Sequence, residues 1–150
     1  MNVLLHFLLN YFVINLIFGN AFNYIFYILL FSIMLDLDHI PYTIRTRKKL
    51  ISKKFGAESR SRFHELYGLA LFSVVLSVLY LFVESMIIYV IGMSVILHYA
   101  FDFLLGKSRP FYPFSKKEVS LKILSEKQRA VFEIALTIIL GVIFWLSMLR

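Results

Sequence analysis

The sequence predicts an all-α fold, a polytopic membrane bundle of about five helices with a cluster of histidines and aspartates at the cytoplasmic helix ends. Two observations of composition support it: 60% of the 150 residues are hydrophobic and only 17% are charged, and the mean hydropathy is +0.79. Soluble domains rarely have such values. One spanning helix needs about 20 residues for a hydrocarbon core about 30 Å thick. We therefore predict a single integral membrane domain over residues 1–150.

Five apolar segments alternate with polar ones, and each predicts a helix. They cover residues 3–18, 21–35, 66–83, 86–105 and 131–149. The connections Gly19-Asn20 and Glu84-Ser85 are so short that the first two helices, and the third and fourth, should form antiparallel hairpins.

Local signals define some helix ends. Helix two should end near His39, because Pro41 disfavours helical geometry at the residue before it. Its last carbonyl groups should then point toward the same place as the nearby aspartates. Ser125 and Gln128 fit a capping box that should start the last helix. A signal peptide cleaved near Gly19 is an alternative to a first spanning helix, but no Lys or Arg precedes residue 20.

Positive charge is confined to two polar stretches. Of the 16 Lys and Arg residues, eight lie in 36–65 and seven in 106–130, and the last is Arg150. The positive-inside rule places both stretches and the N-terminus in the cytoplasm. Such loops also attract anionic headgroups, so we expect membrane lipids as partners. A nucleic-acid-binding patch is the alternative interpretation, and we expect no nucleic acid. The oligomeric state is not predicted.

Every histidine and aspartate falls near the predicted cytoplasmic end of a helix. These seven residues are His6 in helix one, Asp36, Asp38 and His39 at the end of helix two, His64 at the start of helix three, and His98 and Asp102 in helix four. Burying such groups in an apolar segment costs several kcal/mol unless they are paired, so a functional or metal-binding role is indicated. The chain has no cysteine, so any metal needs nitrogen and oxygen ligands.

Helix geometry adds two arguments. His98 and Asp102 are four residues apart on one helix face, within reach of one ion. A plain hydrogen bond between helices is the alternative interpretation. All three aspartates lie toward helix C-termini, where the helix dipole opposes each negative charge by about 0.3–1 kcal/mol. A divalent cation would compensate, and the basic loops are the alternative source of positive charge.

Four motifs in order carry a family resemblance: a histidine in helix one, then "LDLDHIP", "RFHELYGLAL" and "VILHYAFDFLLGKSRPFYPFS". Together they resemble the YdjM-like family of membrane-bound, metal-dependent hydrolases over most of the chain. The resemblance implies hydrolase activity, a multi-pass location in the inner (plasma) membrane, and metal binding at His6, Asp36, Asp38, His39, His64, His98 and Asp102. More distantly, the pattern is similar to zinc-dependent phospholipase C and nuclease enzymes.

The chain departs from the family pattern before helix three. Where the family has H-R-G-x-T-H, this sequence has Ser59 in place of the first histidine, while Arg60 keeps the arginine. One ligand is therefore absent relative to that pattern. Glu65, directly after His64, offers a carboxylate to a metal or to a bound water molecule.

Mixed His and Asp ligands suit zinc, with manganese or ferrous iron as alternatives. Such an ion makes bound water a stronger nucleophile, and an unligated carboxylate, Glu65 or one of Asp36 and Asp38, would serve as the catalytic base. Three cations adjoin the helix ends and are candidates for binding a substrate phosphate, with lipid anchoring as the alternative: Arg60, Lys107 and Arg109. We expect a phosphoester or another lipid-like anionic substrate at the cytoplasmic membrane surface.

Two other functions stay open. A metal or proton transport protein also concentrates histidine and aspartate within the membrane, although usually near the bilayer midplane. A non-enzymatic membrane scaffold would use its basic loops to bind a partner, with these side chains only joining helices.

Overall fold

Five α-helices form the part of the chain described by a computed structural model, which covers residues 2–38, 62–115, 117–121 and 123–149. They are α1 (Val3–Phe18), α2 (Ile25–Met34), α3 (Leu66–Phe82), α4 (Met86–Leu105) and α5 (Glu126–Met148). Within these residues no strand forms, and Ser108 and Val119 make one isolated antiparallel bridge. The predicted all-α fold with five helices is confirmed.

The connection between α1 and α2 depends on left-handed backbone at two positions. Gly19 has φ +66° and Asn20 has φ +48°. Gly19 donates its backbone N–H to the Asn15 carbonyl, and the Asn15 side chain accepts the N–H of Ala21. Glycine and asparagine tolerate positive φ better than other residues, so this dipeptide ends α1 sharply. A single 3₁₀ turn, Ala21–Tyr24, leads into α2.

The α-helical part of α2 ends at Met34, before the predicted end near His39. A 3₁₀ turn, Leu35–Asp38, continues the chain to the last described residue of this segment. His39 itself lies outside the described residues. The tighter turn carries Asp36 toward the interior of the bundle, where its side chain is only 13% exposed.

Helix α5 begins with the predicted capping box. The Ser125 hydroxyl accepts the N–H of Gln128, and the Gln128 side chain accepts the N–H of Ser125. These two bonds satisfy backbone donors that a helix start leaves unpaired. The helix therefore begins at Glu126, ahead of the apolar run.

Helices α1, α2 and α4 pack against one another and enclose the main core, which includes Ile14, Ile28 and Val90, each 0% exposed. Helix α3 packs on α4, and α5 packs on α1. The α5 contact is aromatic: the Phe144 ring meets the Tyr11 ring edge to face at 4.9 Å. No residue of α5 is buried, so this helix lies at the periphery of the described bundle.

Two of the described helices, α4 with 20 residues and α5 with 23, are long and apolar enough to cross a membrane. The other apolar segments, Val3–Phe18, Ala21–Leu37 and Leu66–Phe82, are shorter. At a rise of about 1.5 Å per residue they reach about 25 Å, against about 30 Å for the hydrocarbon core. The outer faces are nevertheless apolar: Val74 is 60% exposed and Trp145 is 66% exposed. The multi-pass topology stays a prediction.

Candidate metal centre

Four helix ends meet at one end of the bundle, and each brings an imidazole or a carboxylate. The first turns of α1 carry His6, and the turn after α2 carries Asp36. The 3₁₀ turn Arg62–His64, which precedes α3, carries His64, and the last turns of α4 carry His98 and Asp102. His6 and His98 are 0% exposed, and Asp102 is 4% exposed. The structure therefore brings together five of the seven residues singled out from the sequence.

Asp102 stands between two histidines. Its Oδ1 lies 3.2 Å from Nε2 of His6, and its Oδ2 lies 2.6 Å from Nε2 of His64. One carboxylate therefore links the start of α1, the start of α3 and the end of α4.

His98 completes the cluster from the other side. Its Nε2 lies 3.7 Å from Oδ1 of Asp36, beyond hydrogen-bond distance. The rings of His98 and His6 are stacked, with centroids 3.9 Å apart and planes at 12°.

Four of these residues have the arrangement of a metal site. His6, Asp36, His98 and Asp102 each offer one ligand atom, and all four atoms lie within 4.8 Å of one another. Tetrahedral ligands with bonds of about 2.1 Å are about 3.4 Å apart. The four atoms are therefore grouped closely enough to be candidate ligands of one ion, although they are more widely spaced than around a bound ion.

Backbone carbonyl groups fix the tautomer of two of the histidines. Nδ1 of His98 lies 3.1 Å from the Ser32 carbonyl oxygen, and Nδ1 of His64 lies 3.1 Å from the Leu35 carbonyl oxygen. A carbonyl can only accept, so both Nδ1 atoms carry the proton. In a neutral imidazole Nε2 then has a bare lone pair, which is the form that binds metals.

These lone pairs face carboxylates. Nε2 of His64 lies 2.6 Å from Asp102, a hydrogen-bond distance that places a proton between the two atoms. Nε2 of His98 lies 3.7 Å from Asp36, where a shared cation would satisfy both groups. Nδ1 of His6 and Nε2 of His98 are buried and make no hydrogen bond within the described residues. The donor set and its orientation therefore fit a divalent cation.

A second polar layer lies one helical turn deeper, and sequence analysis did not single it out. The Asn10 amide donates to the Ser32 hydroxyl at 2.7 Å and to the Ser94 carbonyl at 3.2 Å. All three residues are 0% exposed. Asn10 thus ties α1 to α2 and α4 beneath the cluster. A spacing in the sequence could have identified this layer. Asn10, Ser32 and Ser94 are four residues from His6, Asp36 and His98 respectively, each one helical turn further into the bundle.

A close backbone approach fixes the turn that carries His64. A side-chain methyl at Gly68 would overlap the Phe63 carbonyl group, so only glycine fits there. The Tyr99 hydroxyl donates to the same carbonyl oxygen. The glycine of the "RFHELYGLAL" motif therefore serves to seat the histidine turn on α3 and α4.

The other predicted site residues occupy different surroundings. Glu65 is 2% exposed beside His64. The Arg109 guanidinium lies 4.8 Å above the Tyr112 ring, and Lys107 pairs with Glu126 at 3.3 Å. His39 and Arg60 lie outside the described residues, and of Asp38 only the backbone is described.

A cavity of about 240 Å³ adjoins the cluster. His64, Glu65 and Asp102 stand at its polar end, and apolar residues of α3 and α4 form most of its walls. The residues on either side of Arg109, Ser108 and Pro110, also line it. Lys107 instead lines a separate depression of about 320 Å³ at the start of α5.

Comparison with known proteins gives one match. A family model described as YdjM inner membrane protein matches residues 1–149. No curated protein and no solved structure matches the chain.

Proposed function

The chain belongs to the YdjM inner membrane protein family, and on that premise we propose that it is a membrane-bound, metal-dependent hydrolase. One observation carries the proposal. His98 is buried and donates Nδ1–H to the Ser32 carbonyl, while its Nε2 makes no hydrogen bond within the described residues and lies 3.7 Å from Oδ1 of Asp36. A side chain that only joins helices would place a donor against an acceptor, whereas this buried nitrogen is oriented as a metal ligand.

The residues that would hold the ion are His6, Asp36, His98 and Asp102, with His64 beside Asp102. Two imidazole nitrogens and two carboxylate oxygens suit zinc, manganese or ferrous iron better than calcium or magnesium, which prefer oxygen alone. We propose zinc. The carbonyls of Ser32 and Leu35 act behind the histidines by orienting the rings, as outer partners do in known metal sites.

A bound divalent cation supplies Lewis acidity toward a phosphoryl or carbonyl oxygen and makes water a stronger nucleophile near neutral pH. Glu65 is buried next to His64 at the polar end of the cavity, where its carboxylate would accept a proton from the attacking water. Asp36, whose Oδ1 lies 3.7 Å from Nε2 of His98, is the other candidate base if the ion is held without it.

An anionic substrate fits the charges around the site. Arg109 lies between two residues that line the cavity, and its planar guanidinium can bind a phosphate through two parallel hydrogen bonds. Lys107 is a further candidate at this end of the bundle, and Arg60, outside the described residues, stays a candidate from the sequence. We propose a phosphoester or related lipid-like substrate at the cytoplasmic membrane surface.

The proposed topology has five crossings, with the N-terminus and both basic stretches in the cytoplasm. Helices of 16 and 17 residues are shorter than a typical hydrocarbon core, and local thinning of the bilayer accommodates such segments at modest cost. The metal centre then lies at the inner leaflet, beside the lipid headgroups.

The distribution of buried polar groups favours hydrolysis over transport. Among the described residues, all nine buried polar or charged side chains lie in or directly beside the cluster, in the layer around Asn10, or in the loop after α4. Toward the other end of the bundle the core continues with Ile14, Ile28 and Val90. A transporter needs polar groups along a pathway through the bilayer, and the described core offers only one polar end.

A hydrolysis screen tests this function. The purified protein is stripped with a chelator, reloaded with zinc, manganese or ferrous iron, and assayed on p-nitrophenyl phosphate, a phosphodiester analogue and a carboxylic ester. We expect hydrolysis that disappears with chelator, returns with one of the metals, and is lost in H98A. The control E84A, changed at the turn before α4, should keep it. A wild-type protein that hydrolyses none of the three in any metal contradicts the proposal.

A further inference from the structure

The cavity beside the metal centre has few polar lining residues and mainly apolar walls. Beyond His64, Glu65 and Asp102, its walls are built mainly from side chains of α3 and α4: Leu66, Leu69, Ile96, Ala100 and Phe103. This is the composition of a site for an amphiphile, with the reacting group at one end and hydrocarbon along the rest.

The cavity lies where α3 meets α4. Three of its lining residues are partly exposed: Leu66 by 47%, Ile96 by 50% and Phe103 by 39%. Leu66 belongs to α3 and the other two to α4, so exposed apolar side chains of both helices line the cavity. In a membrane this face meets lipid chains rather than water.

From this geometry we infer that the cavity binds the hydrocarbon chain of the substrate, which enters from the bilayer between α3 and α4. The inference rests on the proposed hydrolase function, to which it adds where the chain of the lipid-like substrate binds and how it enters, with the ester next to that chain. In the bound position the ester lies at His64 and Asp102, and the chain runs along Leu69 and Ile96.

The volume limits how much of the chain is enclosed. At about 240 Å³ the cavity is below the about 300–1,000 Å³ of pockets that enclose a whole small ligand. It therefore takes the segment nearest the headgroup, and the remaining chain stays among the lipids. Because lipid is as apolar as these walls, the chain gains little from the hydrophobic effect on entry. Selectivity must come from shape and from the headgroup at the polar end.

Photolabelling in nanodiscs of phosphatidylcholine tests the inference without requiring turnover. The probe is dodecyl phosphate with a diazirine a few carbons from the headgroup, used on chelator-treated and on zinc-loaded protein, and adducts are mapped by mass spectrometry. We expect adducts concentrated on the cavity-facing residues of α3 and α4. A probe with the same chain and a trimethylammonium headgroup should label these residues less in the zinc-loaded protein.

Matched variants identify the cavity as the labelled place. L69W fills it, whereas L71W adds the same side chain at an exposed position of α3 that does not line it. We expect on the order of tenfold less cavity labelling in L69W, equivalent to about 1.4 kcal/mol, and no change in L71W. A100L narrows the opposite wall and should act in the same direction, with A135L on α5 as its control.

Either of two results overturns the inference. In the first, L69W and A100L are labelled as strongly as the wild type. In the second, the probes with the two headgroups label zinc-loaded protein equally, as expected for chains that only contact the protein from the bilayer. If only the hydrolase proposal fails, labelling is still concentrated in the cavity and still decreases in L69W, while none of the three substrates is hydrolysed in any metal.

Discussion

Nε2 of His64 and Oδ2 of Asp102 lie 2.6 Å apart in the interior, although 38 residues separate them in the chain. The same imidazole donates its Nδ1–H to the Leu35 carbonyl, 3.1 Å away. His64 therefore joins the turn after α2, the start of α3 and the end of α4. A small displacement of that turn should therefore change the position of the Asp102 carboxylate, whose other oxygen lies near His6.

Any side chain at residue 68 should displace the turn that carries His64. G68A forces a methyl group into the Phe63 carbonyl, so the turn must move away from α3. We expect a loss of about 1–3 kcal/mol of stability, the usual cost of overpacking, together with weaker zinc binding. G141A is the matched control, since nothing lies within 4 Å of a methyl group there. Thermal unfolding in detergent measures both, and equal midpoints for the two variants would disprove the role given to Gly68.

The polar layer around Asn10 should stabilise the three central helices. N10A removes hydrogen bonds to the Ser32 hydroxyl and the Ser94 carbonyl and leaves buried groups without that donor. Hydrogen bonds between helices in membranes contribute roughly 0.6 kcal/mol on average, and orphaned buried groups cost about 1–3 kcal/mol. A lower thermal midpoint than that of N23A, changed at an exposed position in the 3₁₀ turn before α2, is the expected result. Equal thermal midpoints for N10A and N23A would contradict a stabilising role for this layer.

Glu65 should matter for turnover more than for metal binding. E65Q keeps the size of the side chain but removes its basicity, so we expect hydrolysis to fall by about 10²–10⁴-fold. Zinc content measured on the same preparation should stay at the wild-type level. E84Q serves as the control. If E65Q hydrolyses at the wild-type rate, or loses zinc together with activity, Glu65 is not the base.

The helix bounds were largely predictable from the sequence, because apolar runs and their interruptions are local features. The Ser125 capping box and the Gly19-Asn20 turn are short-range signals of the same kind, and both occur as expected. The end of α2 was placed too late, since the influence of Pro41 on its predecessor does not show that the chain changes to 3₁₀ geometry at Leu35.

The candidate site was predictable as a set of helix ends, since His98 and Asp102 share a face and the other groups lie at matching depths. The roles of Asn10, Ser32 and Ser94 were not predictable, because the hydrogen-bond partner of a single polar residue in an apolar helix depends on which helices pack beside it. The carbonyls that fix the tautomers belong to apolar and small residues, and the cavity arises from how α3 meets α4. Such features depend on packing, which no local pattern encodes.

The proposed topology has a direct test, helped by a sequence without cysteine. Single variants S85C, in the connection before α4, and K117C, in the second basic stretch, are expressed in bacterial cells and treated with a membrane-impermeant maleimide. We expect S85C to react in intact cells and K117C to react only after the cells are opened, because positive charge is retained on the cytoplasmic side. The reverse pattern would invert the orientation and move the metal centre to the outer face.

Metal content tests the central claim most directly. Purified protein is equilibrated with zinc, desalted and analysed by mass spectrometry of the elements, alongside H98N, D102N and E84A. H98N keeps a donor for the Ser32 carbonyl while removing the imidazole ligand, so the fold has the best chance to persist; circular dichroism verifies it. We expect about one zinc ion per chain in the wild type and E84A, as for one four-ligand site, and a loss of at least about tenfold in zinc affinity in H98N and D102N. Wild-type protein without bound zinc, or a folded H98N with full zinc content, would contradict it.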